Sequence, residues 1–128
     1  MRLADGRRLL DEEWVQLNLA KVYAGLEFLR LINWKVAWTS TKGTLSPADA
    51  SATKVFGTEF YLEAFRLLME IMGQRGYIKR GSPEAVFDGQ LESLYRGLLI
   101  LTFGGGTNEI QRDLISLFGL GFPRIPRM

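Results

Sequence analysis

Between Leu10 and Trp38 the chain has no proline, and Val15, Leu19, Val22, Leu26, Leu29 and Val36 recur at alternating steps of four and three. A strand would put Val15, Leu19 and Leu29 on one face and Val22, Leu26 and Val36 on the other, whereas an α-helix gathers all six on one side. The one polar position in the seam is Asn33, and a buried-facing amide there would set packing register. A second line, Leu17, Ala24, Phe28, Leu31 and Trp38, widens the apolar arc. A helix apolar over so broad an arc packs against more than one neighbour.

The pattern breaks at Thr39-Ser-Thr-Lys-Gly-Thr-Leu and resumes at Ser46-Pro47-Ala48-Asp49, with Ser as N-cap, Pro at the first helical position and Asp reaching back from the third. Phe56, Phe60, Ala64, Leu67 and Ile71 form one stripe of the second helix, and Val55, Leu62, Phe65, Met69 and Met72 form another. After the glycine-punctuated connection at residues 73–81, Ser82-Pro83-Glu84 opens a third helix by the same capping logic, carrying Phe87, Leu91, Leu94, Leu98 and Leu101. Glu92 and Arg96 support it as an i,i+4 pair. Gly104-Gly105-Gly106 interrupts, Thr107 or Asn108 caps, and Ile110, Leu114 and Leu117 carry a short fourth helix, beyond which prolines keep the tail out of helix. No strand pattern competes. The expectation is all-α, an antiparallel four-helix bundle forming one domain over residues 1–128, with helices at about 9–40, 47–72, 83–102 and 108–119 and a tail at 120–128.

Composition narrows the chemistry. The chain has no cysteine and no histidine, which removes disulfides, thiol nucleophiles, Ser-His catalysis and the commonest zinc and haem ligands. Carboxylate, lysine, arginine, tyrosine or a borrowed cofactor remains. Sixteen basic and fourteen acidic side chains alternate along the chain, and the densest basic spots, Arg7-Arg8 and Lys79-Arg80, are too short for a nucleic-acid stripe. No apolar run reaches the roughly 18 residues of a membrane span. The first residues, Met1-Arg-Leu-Ala-Asp-Gly, lack the apolar core of a signal peptide, so a cytoplasmic location is expected.

Among polar groupings, Asp11-Glu12-Glu13 suits the start of a helix, where acids favour the dipole. Glu59 and Glu63 lie one turn apart, but without histidine they make a poor metal site, and none is expected. Trp14, Trp34 and Trp38 read as core or interface anchors. The informative stretch is Phe103-Gly-Gly-Gly-Thr-Asn-Glu-Ile-Gln-Arg112. Three glycines before a helix let the backbone approach something closely, and the free N–H groups at the helix start favour an anion. The stretch lacks the Gly-Lys-[Ser/Thr] ending of a nucleotide P-loop, and on spacing alone it is either a plain helix-to-helix turn or a ligand-binding one.

Gly105-Gly106-Thr107-Asn108-Glu109-Ile110-Gln111-Arg112 resembles the [Glu/Gly]-Gly-Thr-x-[Glu/Gln]-Ile-Gln-Arg signature of flavin-dependent acyl-CoA dehydrogenases. The order before it is also similar: two long helices, the connection Met72-Gly73-Gln74-Arg75-Gly76-Tyr77, and a third helix holding Arg96. The match corresponds to the C-terminal third of a family member. Leu120-Gly-Phe-Pro-Arg and Leu-Thr-Phe-Gly-Gly-Gly-Thr are most similar to the bacterial heteromeric enzymes of steroid side-chain degradation.

The resemblance implies FAD as cofactor, α,β-desaturation of an acyl-CoA as the activity, and either a homo-oligomer or pairing with a related acyl-CoA dehydrogenase subunit. It places Thr107 and Glu109 at the diphosphate and adenosine end of FAD, and Gly73 and Gly76 at a turn that approaches FAD held mainly by a neighbouring subunit. Gln74 stands for a glycine of that turn, and Glu70 stands for a glutamine, which calls for a base such as Arg75 beside it. Many members place the catalytic glutamate immediately before the Gly-Thr of the signature, where this chain has Gly105. Others carry it on a helix upstream of the first one here. No catalytic residue is therefore expected on this chain, and the alternative reading is a non-catalytic helical assembly module.

Overall fold

A computed structural model of the chain describes residues 5–124. The architecture is all-α: α1 (Glu13–Thr41), α2 (Pro47–Met72), α3 (Gln90–Leu98) and α4 (Asn108–Gly119), with no strand among the described residues. Short 3-10 segments occupy Leu9–Asp11, Gly73–Tyr77 and Leu99–Thr102. The masses of the four helices are divided between two compact units. The first comprises the described residues up to Leu26 with Tyr61–Gly97, and the second comprises Glu27–Phe60 with the chain from Leu98 onward. The expected tail is non-helical at residues 121–124, while residues 125–128, like Met1 to Ala4, lie outside the described residues.

In the first unit the core is Leu9, Val15 and Ile71, with Leu19 and Met72 packed against it. Leu67, Ala64 and Met69 are also buried on this part of α2. The chain enters through exposed ion pairs, Arg7 with Asp5 and Glu12, and Arg8 with Asp11. Residue 12 is extended, so the expected start at residue 9 is a separate 3-10 turn and α1 proper begins at Glu13.

The second unit is built on the hairpin of α1 and α2. Lys35 pairs with Asp49 at 2.8 Å, and the Phe28 ring meets the edge of Phe56 at 4.6 Å. As residue numbers fall along α1 they rise along α2, so the two segments run antiparallel. Gly57 admits Leu29 from the facing helix, because a Cβ there would stand 3.2 Å from Leu29 Cδ1. Ser46 caps α2 by accepting the Ala48 N–H at 3.2 Å. Asp49 does not reach back to the helix start; its carboxylate is taken by Lys35 instead.

Three expectations are corrected. The expected seam of α1 holds at Val15, Leu19, Val22, Leu29 and Val36, all buried or half-buried, but fails at Leu26 and Asn33, which are exposed, while Asn18, Gly25, Ile32 and Thr39 are buried or half-buried instead. The expected and the buried lines both keep the three-and-four spacing of a heptad; the second edge of the buried one is Asn18, Gly25, Ile32 and Thr39, one residue before the edge that apolar counting picks. Asn33 is exposed and donates to the Leu29 carbonyl of its own helix at 2.8 Å. The second line is largely exposed, with Leu17, Phe28, Leu31 and Trp38 between 49% and 62% exposed even though Phe28 meets Phe56. None of the three tryptophans is in the core; Arg30 lies 4.5 Å over the Trp34 ring.

The third correction concerns α3, which opens at Gln90 rather than at Ser82-Pro83-Glu84. Phe87, Asp88 and Gly89 all adopt positive φ, at 50°, 52° and 68°, a left-handed turn that no right-handed helix can run through. Gly89 is buried against the Lys79-Arg80 backbone, and a Cβ there would collide with the Arg80 amide nitrogen. This close approach, together with the exposed Arg80–Asp88 pair at 3.2 Å, overrides the local capping signal. The Glu92–Arg96 pair forms within α3 at 2.9 Å.

Two glycines of this region separate backbone strain from helix propensity. Gly89→Ala is expected to lower stability by more than about 1 kcal/mol, through both its positive φ and the collision. Gly97, in α3 with open space around it, is expected to gain about 0.5–1 kcal/mol as alanine. Denaturant unfolding of both variants reads the opposite signs; equal losses would contradict the assignment.

Candidate functional site

The Gly104-Gly105-Gly106-Thr107 turn leads from the 3-10 segment into α4. The N–H groups of Phe103 and Gly104 both bond the Ile100 carbonyl, at 3.0 and 2.9 Å, closing the preceding helix. Gly105 and Gly106 then take φ of 71° and 89°, a left-handed pair that only glycine adopts without strain. Thr107 returns to extended backbone and caps α4: its hydroxyl accepts the Ile110 N–H at 3.4 Å and its carbonyl accepts the Gln111 N–H at 3.0 Å. Of the two cap candidates, Thr107 is the cap and Asn108 the first helical residue.

The turn is fastened from two sides. Gln111 donates its side-chain amide to the Gly105 carbonyl at 2.8 Å. From α2, Lys54 donates to the Thr102 and Gly106 carbonyls at 3.3 and 2.9 Å and to Asn108 Oδ1 at 2.6 Å. Asn108, only 4% exposed, turns its amide nitrogen to Thr58 Oγ1 and Glu59 Oε1, each at 3.1 Å. Arg112 closes the set on the same Glu59 oxygen at 2.6 Å. Glu59 is thus an ion-pair partner, and Glu63 pairs with Arg66 at 2.7 Å; no group of acidic side chains among the described residues is arranged to hold a metal.

Glu109 is exposed at the start of α4. Its own N–H and then the Thr107 hydroxyl bond its carboxylate and hold it below the ordinary range, with the Arg112 and Lys54 charges adding to the effect. Gly105, where the resemblance expects a base, has no side chain, and a Cβ there would meet nothing within 4 Å.

Gly73 and Gly76 belong to the first unit and Thr107 and Glu109 to the second. Gly73, with φ of 59°, ends α2 as a left-handed residue with open space around it. Gly76 is buried, and a Cβ there would stand 2.8 Å from the Met69 carbonyl oxygen. Both glycines therefore have a reason in the fold. Gln74 and Arg75 are exposed. Glu70 bonds Arg66 at 3.4 Å, one turn back on its own helix, so the base expected beside it is Arg66 and not Arg75. The fastening side chains Lys54 and Thr58 were not among the candidates, and Asn108 was one only as a helix cap. Their signal in α2 is the polar line Ser51, Lys54 and Thr58 at helical spacing.

An all-α chain with four α-helices and no strand among its described residues, with a glycine turn that delivers a threonine cap and an anion-favouring helix start, is the class that fold and site define. The profile of the family described as acyl-CoA dehydrogenase, C-terminal domain, matches residues 1–118, and the chain belongs to the acyl-CoA dehydrogenase family. That family consists of FAD-dependent oxidoreductases. The chain is 56% identical to acyl-CoA dehydrogenase FadE26 of Mycobacterium tuberculosis over 97% of its length and 32% of the relative's. It is 40% identical to acyl-CoA dehydrogenase FadE29 of the same organism, over 92% of the chain and 30% of that relative. The fold is similar to a chain of the ChsE4–ChsE5 complex from Mycobacterium tuberculosis, with a TM-score of 0.91 and 55% identity over 98% of this chain and 32% of that one. It is also similar to a chain of the Tcur3481–Tcur3483 steroid acyl-CoA dehydrogenase, with a TM-score of 0.88 and 45% identity over 91% and 30%. The chain thus spans about a third of the length of these relatives. No helix among the described residues is long and apolar enough to cross a membrane.

The Glu63–Arg66 pair gives a pH test. Hydrogen bonding to Arg66 holds the Glu63 carboxyl below its ordinary 4.5, against a smaller opposing effect of burial. A depressed carboxyl stabilises the fold above the unfolded value and loses that contribution as pH falls through the folded one. Thermal unfolding between about pH 6 and about pH 3 should therefore show a shallower acid loss in Glu63→Gln, by less than about 1 kcal/mol because the pair is exposed. An unchanged profile would remove the pair from the acid response.

Proposed function

We propose that the chain is the C-terminal helical part of an FAD-dependent acyl-CoA dehydrogenase that desaturates a steroid side-chain acyl-CoA in a heteromeric enzyme. One observation carries the reading: the fastened Gly105-Gly106-Thr107 turn, which brings a hydroxyl and the positive end of α4 to an open face. The likeness to a chain of a steroid acyl-CoA dehydrogenase supports the substrate class, and the likeness to a chain of the ChsE4–ChsE5 complex supports a related partner chain over self-pairing.

The site chemistry fits the diphosphate of FAD. Lys54 spends its hydrogens on three neutral acceptors, so no bonded carboxylate cancels its charge, and Gly105 leaves room beside the turn. Thr107 would donate its hydroxyl to the diphosphate, in exchange for the Glu109 carboxylate that it meets in this structure. Glu109 would then serve the adenosine end, while Gly73 and Gly76 would face a flavin held by the neighbouring subunit. FAD supplies the hydride acceptor for the desaturation. Gly105 cannot take the α-proton, so that task falls to a carboxylate outside the motif, and the 128 residues alone should show no acyl-CoA-dependent reduction of an electron acceptor.

The reading as a cofactor-free assembly module has one observation in its favour, the exposed apolar line of α1. Both readings require association, so sedimentation should give a dimer or larger species with a related chain; a monomer at high concentration, with no partner bound, would contradict both.

Thr107→Ala separates the two. Loss of the cap costs about 1 kcal/mol with or without flavin, whereas a charge-assisted diphosphate bond adds about 1.5–3 kcal/mol only when flavin is bound. In the complex reconstituted with a related acyl-CoA dehydrogenase chain, FAD affinity should fall by about tenfold or more beyond the apo stability change. An unchanged affinity with lower apo stability would leave Thr107 as a cap alone.

A further inference from the structure

Back-to-back left-handed glycines do not hold a shape by themselves, because glycine loses more conformational freedom on folding than any other residue. Gly105 and Gly106 form such a pair, yet Thr107 directly after them has to meet its partners within hydrogen-bond tolerance. The turn is fixed from a distant part of the chain. Lys54, on α2, bonds the Thr102 carbonyl before the glycines, the Gly106 carbonyl within them and Asn108 Oδ1 after them. Three points that bracket Gly104 to Thr107 therefore converge on one ammonium. Asn108 is in turn held against Thr58 and Glu59 of the same helix, so the fastening has a rigid base.

We infer that Lys54 is a positioning residue for the cofactor turn: by joining both ends of the glycine run it sets where Thr107 and the first N–H groups of α4 stand. The inference rests on the proposed flavin role of Thr107 and deepens it. Lys54 acts through the turn and is assigned no contact with the cofactor. A planar guanidinium cannot direct its hydrogens to three acceptors converging on one point, so arginine keeps the charge but only part of the geometry.

The test compares Lys54→Met, Lys54→Arg and Thr107→Ala in the chain co-expressed with a related acyl-CoA dehydrogenase chain that carries a flavin-binding β domain. Hydrogen exchange is followed at residues 103–110, and FAD affinity is measured by flavin fluorescence titration. Lys54→Met should speed exchange across the turn by about tenfold while the amides of residues 15–22 keep their protection. It should also weaken FAD by about tenfold, with Lys54→Arg intermediate in both measurements. A purely structural lysine would lower protection throughout or leave FAD affinity at the wild-type value, and either result overturns the inference. If Thr107→Ala weakens FAD and Lys54→Met does not, the flavin reading stands and the role of Lys54 falls; if neither variant weakens it, both fall. Should Lys54→Met fail to fold, Lys54→Arg decides, since wild-type exchange and affinity in that variant contradict the inference.

Discussion

An ammonium group taken partly out of water has to find acceptors, and where it finds them determines the backbone around it. Lys54 resolves this with two main-chain carbonyls and one amide oxygen, all brought by the segment around the glycine turn. That requirement orders the rest of the site. It draws Asn108 into a buried position, where its remaining hydrogens need Thr58 and Glu59. Glu59 then has a charge that Arg112 meets one helical turn further on. A segment whose own sequence is mostly glycine thus takes its shape from α2, and α4 begins where that shape ends.

The legible parts of the fold were those governed by neighbours in sequence. Ser46 and Pro47 start α2, Thr107 starts α4, and glycines end or interrupt the helices, because caps and left-handed turns are decided within a few residues. The illegible parts depend on residues far along the chain. Ser82-Pro83-Glu84 carries a sound capping pattern, but Gly89 is pressed against the Lys79-Arg80 backbone, and no local pattern encodes that approach. On α1 the count of apolar residues selected Leu26 and Asn33, whereas the buried line uses Asn18, Gly25 and Thr39, whose small or self-satisfied side chains carry little apolar signal. Thr39 shows how: its hydroxyl bonds the Lys35 and Val36 carbonyls of its own helix. At the site, the motif directed attention to Thr107 and Glu109, while Lys54 stayed out of view because its partners are 48 to 54 residues away.

The apolar surface of α1 has a different meaning from that of a poorly packed core. Its exposed members, Leu17, Phe28, Leu31 and Trp38, recur at helical spacing and lie beside a buried line that is well satisfied. Scattered exposed leucines need no explanation on any protein, whereas a larger exposed apolar patch with aromatic members is the kind of surface that marks an interaction site.

Gly105 ends with two properties that pull against each other. The space around it is open, so a larger side chain meets no obstacle, but its φ of 71° penalises any residue that carries a Cβ. The penalty is about 1–2 kcal/mol, a fraction of a domain's stability rather than a prohibition. Gly106 has less latitude, because a Cβ there would stand 3.0 Å from the Gln111 amide that fastens the turn, and that side chain would have to shift. Substitution therefore meets a lower barrier at the first glycine than at the next. A carboxylate could re-enter the motif at its first position without rebuilding the turn, which leaves a route open between chains that carry a proton acceptor there and chains that do not.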